Sequence, residues 1–205
     1  KSQLSKIITS TIEKLNERFN PDLVVLASNT PSLLFRDKLP KNIITVLPPL
    51  KKISKASNVA ILSTQVVVQS KELDEYVSEF NELNDVVKIN CSELVELVES
   101  GKFLVNEKYC MKTIIKVLRD EFKENDIKIA TLSSTHLPFL LPFLKKCFPK
   151  VEFLDPADDV AKKISKIKKQ KSKQNSLSIY TTKSAKALQR NLKNMGISNK
   201  VTVFS

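Results

Sequence analysis

Residues 129–143 read IATLSSTHLPFLLPF, in which an apolar run gives way to four polar residues and then to a second apolar stretch. The first run has the length and residue types of a buried strand, and the second has helical spacing. Pro138 lies near the start of the helical stretch, where a proline loses no hydrogen bond. The sequence therefore predicts a strand, a polar turn and a helix. The turn contains His136, the only histidine of the chain.

The same order of strand and helix repeats along the chain. Eight apolar, β-branched runs predict strands at residues 23–26, 43–47, 59–62, 86–89, 128–132, 151–154, 177–180 and 201–204. Helical spacing of apolar residues lies between them, and Gly196 follows the last such pattern as a predicted helix C-cap. Strands that alternate with helices form parallel βαβ units. We therefore predict an α/β protein with doubly wound, parallel sheets.

Composition excludes several classes of function. Gly101 and Gly196 are the only glycines, too few for a Walker A or dinucleotide-binding loop. Cys91, Cys110 and Cys147 lack the spacing of a disulfide framework or a zinc site, and they fit a reducing compartment. No apolar run approaches the roughly 20 residues that span a bilayer, and no signal or transit peptide is visible. We expect a cytoplasmic protein that binds no metal.

The net charge is +12, and the lysines from Lys162 to Lys173 form its densest run, KKISKIKKQKSKQ at residues 162–174. Patches that contact the phosphates of nucleic acid or an anionic membrane have this composition. A solvated helix end has it too, and no aromatic residue interleaves with these lysines. Both interpretations stay open. The most that we expect of the run is weak, nonspecific contact with nucleic acid, without membrane binding.

Two predicted strands are followed by similar polar segments. Residues 27–34 read ASNTPSLL, and residues 133–141 read SSTHLPFLL. Such residues commonly cap helices, so two capped helices explain the pattern. Hydroxyls and N–H groups at helix starts also bind carboxylates and phosphates, so two halves of one cleft explain it equally well. Ligands of open α/β sheets bind at the carboxyl ends of strands, where both segments lie.

Seven segments resemble, in order, motifs of the aspartate/glutamate racemase family, and most of all its glutamate racemase branch. The segments are VVLASNTPS (24–32), IITVLPP (43–49), VAILSTQVV (59–67), INCSELVELVESG (89–101), ATLSSTHLPFL (130–140), FLDPADDVA (153–161) and SIYTTKSAKAL (178–188). The corresponding family motifs read roughly VVACNTAS, VIGVIEP, VGVIGTxAT, ACPLFVPLVEEG, LILGCTHYPLL, LIDPAEEVA and FYTTG. Together they cover essentially the whole chain.

The resemblance implies two similar α/β domains with the ligand cleft between them. One domain would combine residues 1–52 with residues 157–205, and the other would comprise residues 53–156. Family members invert the α-carbon of free glutamate without a cofactor. Two cysteines face each other across the cleft: one thiolate removes the α-proton, and the other thiol returns a proton on the opposite face. Family members often form homodimers, so a homodimer is a further expectation.

Five side chains match the family's polar site residues. Asn29 and Thr30 match the pair that holds the carboxylate and ammonium of the amino acid, and Thr64 matches the threonine of GTxAT. Thr135 and His136 match the second cysteine motif, in which the histidine assists the thiol. The resemblance thus implies binding of a small acidic amino acid, without distinguishing glutamate from aspartate.

Ser28 and Ser134 stand where the family has its two catalytic cysteines. A thiol titrates near ~8.5 and is readily lowered, whereas a serine hydroxyl acts as a base only with an activating partner. Proton transfer between two serines should therefore be very slow. Val67 replaces a threonine of the family, which is expected to weaken the polar lining, and Leu50 replaces a glycine. The DSGxGG loop that opens family members has no counterpart, so the first sheet is expected to be incomplete.

Three functions remain open on the sequence. The first is a racemase-like enzyme with weak or altered chemistry. The second is a protein that binds an acidic amino acid without turnover. The third is an interaction protein that uses a basic surface. We predict a glutamate racemase-like protein that binds an acidic amino acid and is inactive or strongly impaired.

Overall fold

A computed structural model of the chain describes residues 2–36, 39–40, 42–53, 58–80, 82–83, 85–167 and 176–204. Eight strands lie in this part of the chain: β1 Val24–Leu26, β2 Ile43–Thr45, β3 Val59–Ser63, β4 Val86–Asn90, β5 Ile129–Leu132, β6 Glu152–Leu154, β7 Ile179–Thr181 and β8 Val201–Val203. Each overlaps a predicted strand, so the strand predictions are confirmed.

The helices of the described residues lie between these strands. They are α1 Ser2–Phe19, α2 Asn29–Leu34, α3 Gln65–Val68, α4 Lys71–Ser78, α5 Ser92–Glu99, α6 Lys102–Val105, α7 Glu107–Glu124, α8 Leu141–Cys147, α9 Ala157–Ile167 and α10 Ala185–Asn194, with 3₁₀ turns at Leu50–Lys52 and Leu137–Leu140. No helix among them is both long and apolar enough to cross a membrane. Residues 168–174 of the lysine run lie outside the described residues.

A four-stranded sheet in the order β4-β3-β5-β6 forms the centre of the molecule, and all of its strands are parallel. Every residue of β3 is buried. Alternate residues of a strand face opposite sides of its sheet. Ala60 and Leu62 accordingly enter the core beneath α5, α7 and α8, while Val59 and Ile61 enter the core beneath α3 and α4. Helices thus cover both faces, and the predicted α/β class with parallel sheets is confirmed.

The remaining strands form two small parallel sheets, β1 with β2 and β7 with β8. The start and the end of the described chain meet at the second of these. Phe19, at the end of α1, has its ring 5.1 Å from Tyr180 and 6.2 Å from Phe204, and the guanidinium of Arg18 lies 5.3 Å from the Tyr180 ring. The division into residues 1–52 with 157–205 and residues 53–156 stays a prediction.

Local backbone chemistry explains where α10 ends and where α8 begins. Gly196 follows α10 with a φ of 79°, the left-handed conformation that favours glycine. The helix predicted directly after the polar turn begins later, at Leu141, and a 3₁₀ turn precedes it. Pro142 has no N–H to donate to the carbonyl of Pro138, and its ring crowds that carbonyl. The first turn therefore closes through the shorter hydrogen bond from Leu141 N–H to Pro138 O.

Tyr76 of α4 connects the helices beside the central sheet to Pro48, in the segment that follows β2. Its buried hydroxyl donates to the carbonyl of Pro48 at 2.7 Å. The guanidinium of Arg36 lies 5.4 Å from its ring and pairs with the carboxylate of Glu79. Burial, reinforced by the charge of Glu79, raises the pKa of Tyr76 to about 12.

We expect Tyr76→Phe to lower the free energy of unfolding by about 1–3 kcal/mol in urea titrations, because the Pro48 carbonyl loses its donor. Tyr109→Phe is the matched control: Tyr109 is 44% exposed, and the change should stay within about 0.5 kcal/mol.

The stability contributed by neutral Tyr76 should vanish at alkaline pH. Its folded pKa lies above the ordinary value of 10.0, so the contribution is complete below pH 10 and is lost as the pH rises towards 12. The unfolding free energy of Tyr76→Phe should fall less steeply over this range than that of the unchanged protein. Parallel curves would contradict a raised pKa.

Candidate functional site

The carboxyl ends of β1, β3 and β5 surround one small cavity of about 80 Å³. All seven residues predicted for the site line it, together with two serines at strand ends: Ser28, Asn29, Thr30, Ser63, Thr64, Ser133, Ser134, Thr135 and His136. The two similar polar segments, around residue 28 and around residue 134, thus meet at one place. Their roles in binding and proton transfer stay predictions.

The side chains at these two turns do not cap helices, so that alternative is wrong. Ser28 occupies the N-cap position of α2, but its hydroxyl forms no capping hydrogen bond. His136 occupies the N-cap position of the following 3₁₀ turn, again without a capping bond from its side chain. Backbone groups close both turns, from Ser32 N–H to Ser28 O at 3.1 Å and from Leu137 N–H to Ser134 O at 3.1 Å.

Three other serines hold the walls of the cavity in place. The hydroxyl of Ser32 donates to the Leu26 carbonyl at 3.0 Å and accepts from Val46 N–H at 3.1 Å, which joins the ends of β1 and β2. The hydroxyl of Ser63 donates to the Ser133 carbonyl at 2.8 Å, which joins the ends of β3 and β5. Sequence reasoning missed Ser63 and Ser133 as lining residues. Their signal was their place at the carboxyl ends of the two central strands.

Ser134 has a base beside it. Its hydroxyl oxygen lies 3.4 Å from Nδ1 of His136, and Nε2 of the same ring lies 3.2 Å from a carboxylate oxygen of Glu99. In the tautomer that has its proton on Nε2, the ring donates to Glu99, and Nδ1 is free to accept the serine proton. The 3.4 Å separation exceeds the roughly 2.7–3.2 Å of a well-formed hydrogen bond. Glu99 was also missed from the sequence, although it lies within one of the matched segments.

Ser28 has no comparable partner. Its hydroxyl forms no hydrogen bond with any described residue, and the histidine lies beside the other serine. The two positions that match the family's cysteines are therefore chemically unequal. Only Ser134 has a group that can accept its proton.

Asn29 is the least satisfied polar residue of the cavity. The residue is only 6% exposed, and neither Oδ1 nor Nδ2 of its amide has a hydrogen-bond partner among the described residues. A buried polar atom without a partner costs about 1–3 kcal/mol. An amide that faces a cavity in this state has one donor group and one acceptor available for a ligand.

The three cysteines cannot replace the missing thiols. Cys91 is fully buried, and burial raises the pKa of its thiol far above the ordinary range. Burial, together with Cys147 and Glu107, raises the pKa of Cys110 to about 11, and burial also raises the pKa of Cys147. A thiol with a raised pKa holds its proton at neutral pH.

Val67 was expected to weaken the polar lining, and this expectation is wrong. Val67 is 1% exposed and belongs to the same buried hydrophobic cluster as Leu33, Leu50 and Ile61. It does not line the cavity. Leu50, the other departure from the family pattern, lies in the same hydrophobic cluster.

Curated relatives of the chain are glutamate racemases. It is 30% identical over 147 residues to one from Carboxydothermus hydrogenoformans, which covers 69% of this chain and 54% of that protein. It is 31% identical over 150 residues to one from Clostridium botulinum, with 69% and 56% covered. One from Aliivibrio fischeri is 27% identical over 172 residues, with 81% and 64% covered. The chain thus spans less than two thirds of the length of these relatives. No protein-family model matches it.

Solved structures share the fold. Glutamate racemase isoform RacE1 from Bacillus anthracis superposes with a TM-score of 0.82 at 21% identity, over 100% of this chain and 81% of that one. The Escherichia coli glutamate racemase, in complex with L-glutamate and the activator UDP-MurNAc-ala, gives 0.78 at 20% identity, over 98% and 80%.

The parallel sheets and these neighbours define a protein with the fold of an amino-acid racemase. The chain belongs to the aspartate/glutamate racemase family, as its seven matched segments predicted.

Asn29→Ala should leave the free energy of unfolding unchanged or raise it by about 1 kcal/mol, because it removes two unpaired polar atoms. Asn106→Ala is the control: its side chain accepts from Tyr109 N–H at 2.9 Å as the N-cap of α7, and its loss should cost about 0.5–2 kcal/mol. Urea titration without ligand measures both. An equal loss at both positions would show that the Asn29 amide has a partner in the folded protein.

Proposed function

We propose that the protein binds glutamate, or a similar acidic amino acid, in the cavity between residues 28–30 and 133–136. We further propose that proton transfer at the α-carbon of this ligand is strongly impaired. The names of the curated relatives support the class of ligand. The unpartnered amide of Asn29 carries the argument for a bound ligand at this place.

The chemistry of Asn29 suits the head of an amino acid. Its Nδ2 donates to a carboxylate oxygen, and its Oδ1 accepts from an ammonium group. Hydroxyls of Thr30, Thr64 and Thr135 surround the same cavity and both donate and accept. A ligand with both charges satisfies both atoms of the amide, which neither a simple anion nor a simple cation does.

The cavity has to widen before it admits such a ligand. Its volume of about 80 Å³ lies well below the lower limit of about 300 Å³ for ligand pockets. One wall, residues 28–30, follows β1 and is held to β2 through Ser32. The other wall, residues 133–136, follows β5 of the central sheet. Opening therefore separates two different sheets and leaves each one intact.

The unequal serines limit the reaction. Inversion needs a proton removed from one face of the α-carbon and another returned to the opposite face. His136 can take the proton of Ser134, whereas the hydroxyl of Ser28 has no hydrogen-bonding base among the described residues. A hydroxyl without a base is a poor proton acceptor. We expect binding, at most slow exchange on the Ser134 side, and no measurable inversion.

A second candidate is an active isomerase with altered chemistry. The contacts between Ser134, His136 and Glu99 favour it, because they form a chain from a hydroxyl through an imidazole to a carboxylate. Assembly into homodimers, a cytoplasmic location and nucleic-acid contact through the lysines from Lys162 to Lys173 stay predictions.

Ligand binding is tested by thermal unfolding with increasing L- or D-glutamate. A ligand at about 100 times its Kd stabilises the folded state by about 2.7 kcal/mol, so the midpoint should rise. Asn29→Ala should abolish the rise, whereas Asn106→Ala should shift the starting midpoint and keep the rise. L-lysine is the matched ligand control. An equal rise with lysine would contradict recognition of an acidic amino acid.

Proton transfer is tested by NMR, as loss of the α-proton signal of L- and D-glutamate in D₂O. We expect no exchange above background, or slow exchange from one enantiomer. The double substitution S28C/S134C should raise the rate by about 10²–10⁴-fold, the usual contribution of a positioned acid or base. The double substitution S28A/S134A controls for changes of packing, and it should not raise the exchange rate. A double-cysteine protein that binds glutamate without exchange would sink the assignment of these two positions.

A further inference from the structure

The net positive charge of the chain lies in its last 46 residues. Residues 160–205 contain twelve Lys and Arg residues and no Asp or Glu, whereas residues 1–159 contain 22 of each kind. The whole net charge of +12 therefore belongs to the last 46 residues. A neutral body with one cationic end has a strongly one-sided electrostatic field.

A groove between α10 and β8 concentrates this charge within the described residues. Its volume is about 570 Å³, and its lining contains four cations and no carboxylate: Lys186, Arg190, Lys193 and Lys200. All four residues are exposed. None of them forms an ion pair with a described residue.

Three of the four cations form a row on α10, and the fourth lies beside β8. Lys186, Arg190 and Lys193 are four and three residues apart, so they share one face of α10 and extend about 10 Å along its axis. Lys200 lies across the groove, just before β8. A row of this length faces several charges of a polyanion at once.

Gln189 fixes the distance between the two sides. Its Nε2 donates to the Asn199 carbonyl at 2.9 Å, and its Oε1 accepts from Val201 N–H at 2.9 Å. Both bonds join the middle of α10 to the start of β8. These bonds hold the backbone of α10 in a fixed position relative to β8. A backbone that is already ordered lowers the entropic cost of binding an extended ligand.

We propose that this groove binds the phosphodiester backbone of a nucleic acid. Repeated, exposed cations match repeated phosphates and draw binding energy from released counterions. No aromatic side chain lines the groove, so bases have nothing to stack on, and binding should be independent of sequence. Membrane surfaces favour cations beside exposed apolar side chains. The apolar residues here are Ala185 and Val201, of which Val201 is 6% exposed.

The test is fluorescence anisotropy of a labelled oligothymidylate with the full chain, at salt concentrations from about 50 to 200 mM. The groove variant is K186Q/R190Q/K193Q/K200Q. The control variant, K108Q/K112Q/K123Q/K145Q, removes the same charge from exposed positions of α7 and α8. Each phosphate contact on a single strand contributes about 0.7 to the slope of log K against log salt, so the groove variant should flatten the slope by about 3. The control should keep the slope.

Three outcomes would overturn the proposal. The first is that the unchanged chain does not bind the oligonucleotide at low salt. The second is that both variants lose affinity equally. The third is that the chain binds vesicles that contain phosphatidylserine and does not bind the oligonucleotide. Replacing the thymidylate by a mixed sequence should leave the affinity unchanged. Thermal unfolding checks that both variants are folded. Should the groove variant unfold, K186Q/K193Q against K108Q/K112Q gives the same comparison, with about half the change of slope.

Discussion

The complete burial of β3 is the constraint on which the rest of the structure depends. Its residues are 0–1% exposed, so each side chain must meet a core on one face of the sheet or the other. The pairing of β3 with β4 and β5 sets the register of the central sheet. It also brings Ser63 level with Ser133, and the hydrogen bond between them closes the floor of the cavity. The position of the candidate site is thus a consequence of how the centre of the sheet packs.

The cavity combines satisfied and unsatisfied polar groups. The serines that link strands have partners for their hydroxyls, whereas the amide of Asn29 has none among the residues that the structure describes. Under the proposed function, a bound ligand would give the Asn29 amide its partners and remove this cost. Serines occupy the two positions that resemble the cysteines of the family motifs, and among the described residues His136 contacts only Ser134 of the two. Under the proposed function, recognition of the ligand and proton transfer rest on different residues, so loss of one does not entail loss of the other.

The two candidate surfaces differ in charge and share no lining residue. The cavity is lined by neutral polar side chains and one histidine, while all of the excess charge lies after residue 159. A polyanion on the α10 groove and a small zwitterion in the cavity would make contact with different elements. The cations of α10 are neutralised by no acid within their own segment, which leaves their field directed at solvent.

The sequence by itself determined the eight strands, the parallel α/β class and the seven lining residues, because β-branched runs and ordered motifs are local properties. It did not determine the lining by Ser63 and Ser133 or the contact of Glu99 with His136, since these join segments far apart in the chain. It also wrongly predicted that Val67 lines the cavity. The surroundings of the Val67 side chain depend on which face of the sheet its helix covers. Tertiary structure alone decided that, within the described part of the chain, His136 lies beside Ser134 and in contact with Glu99, because that contact depends on where α5 ends beside the turn after β5.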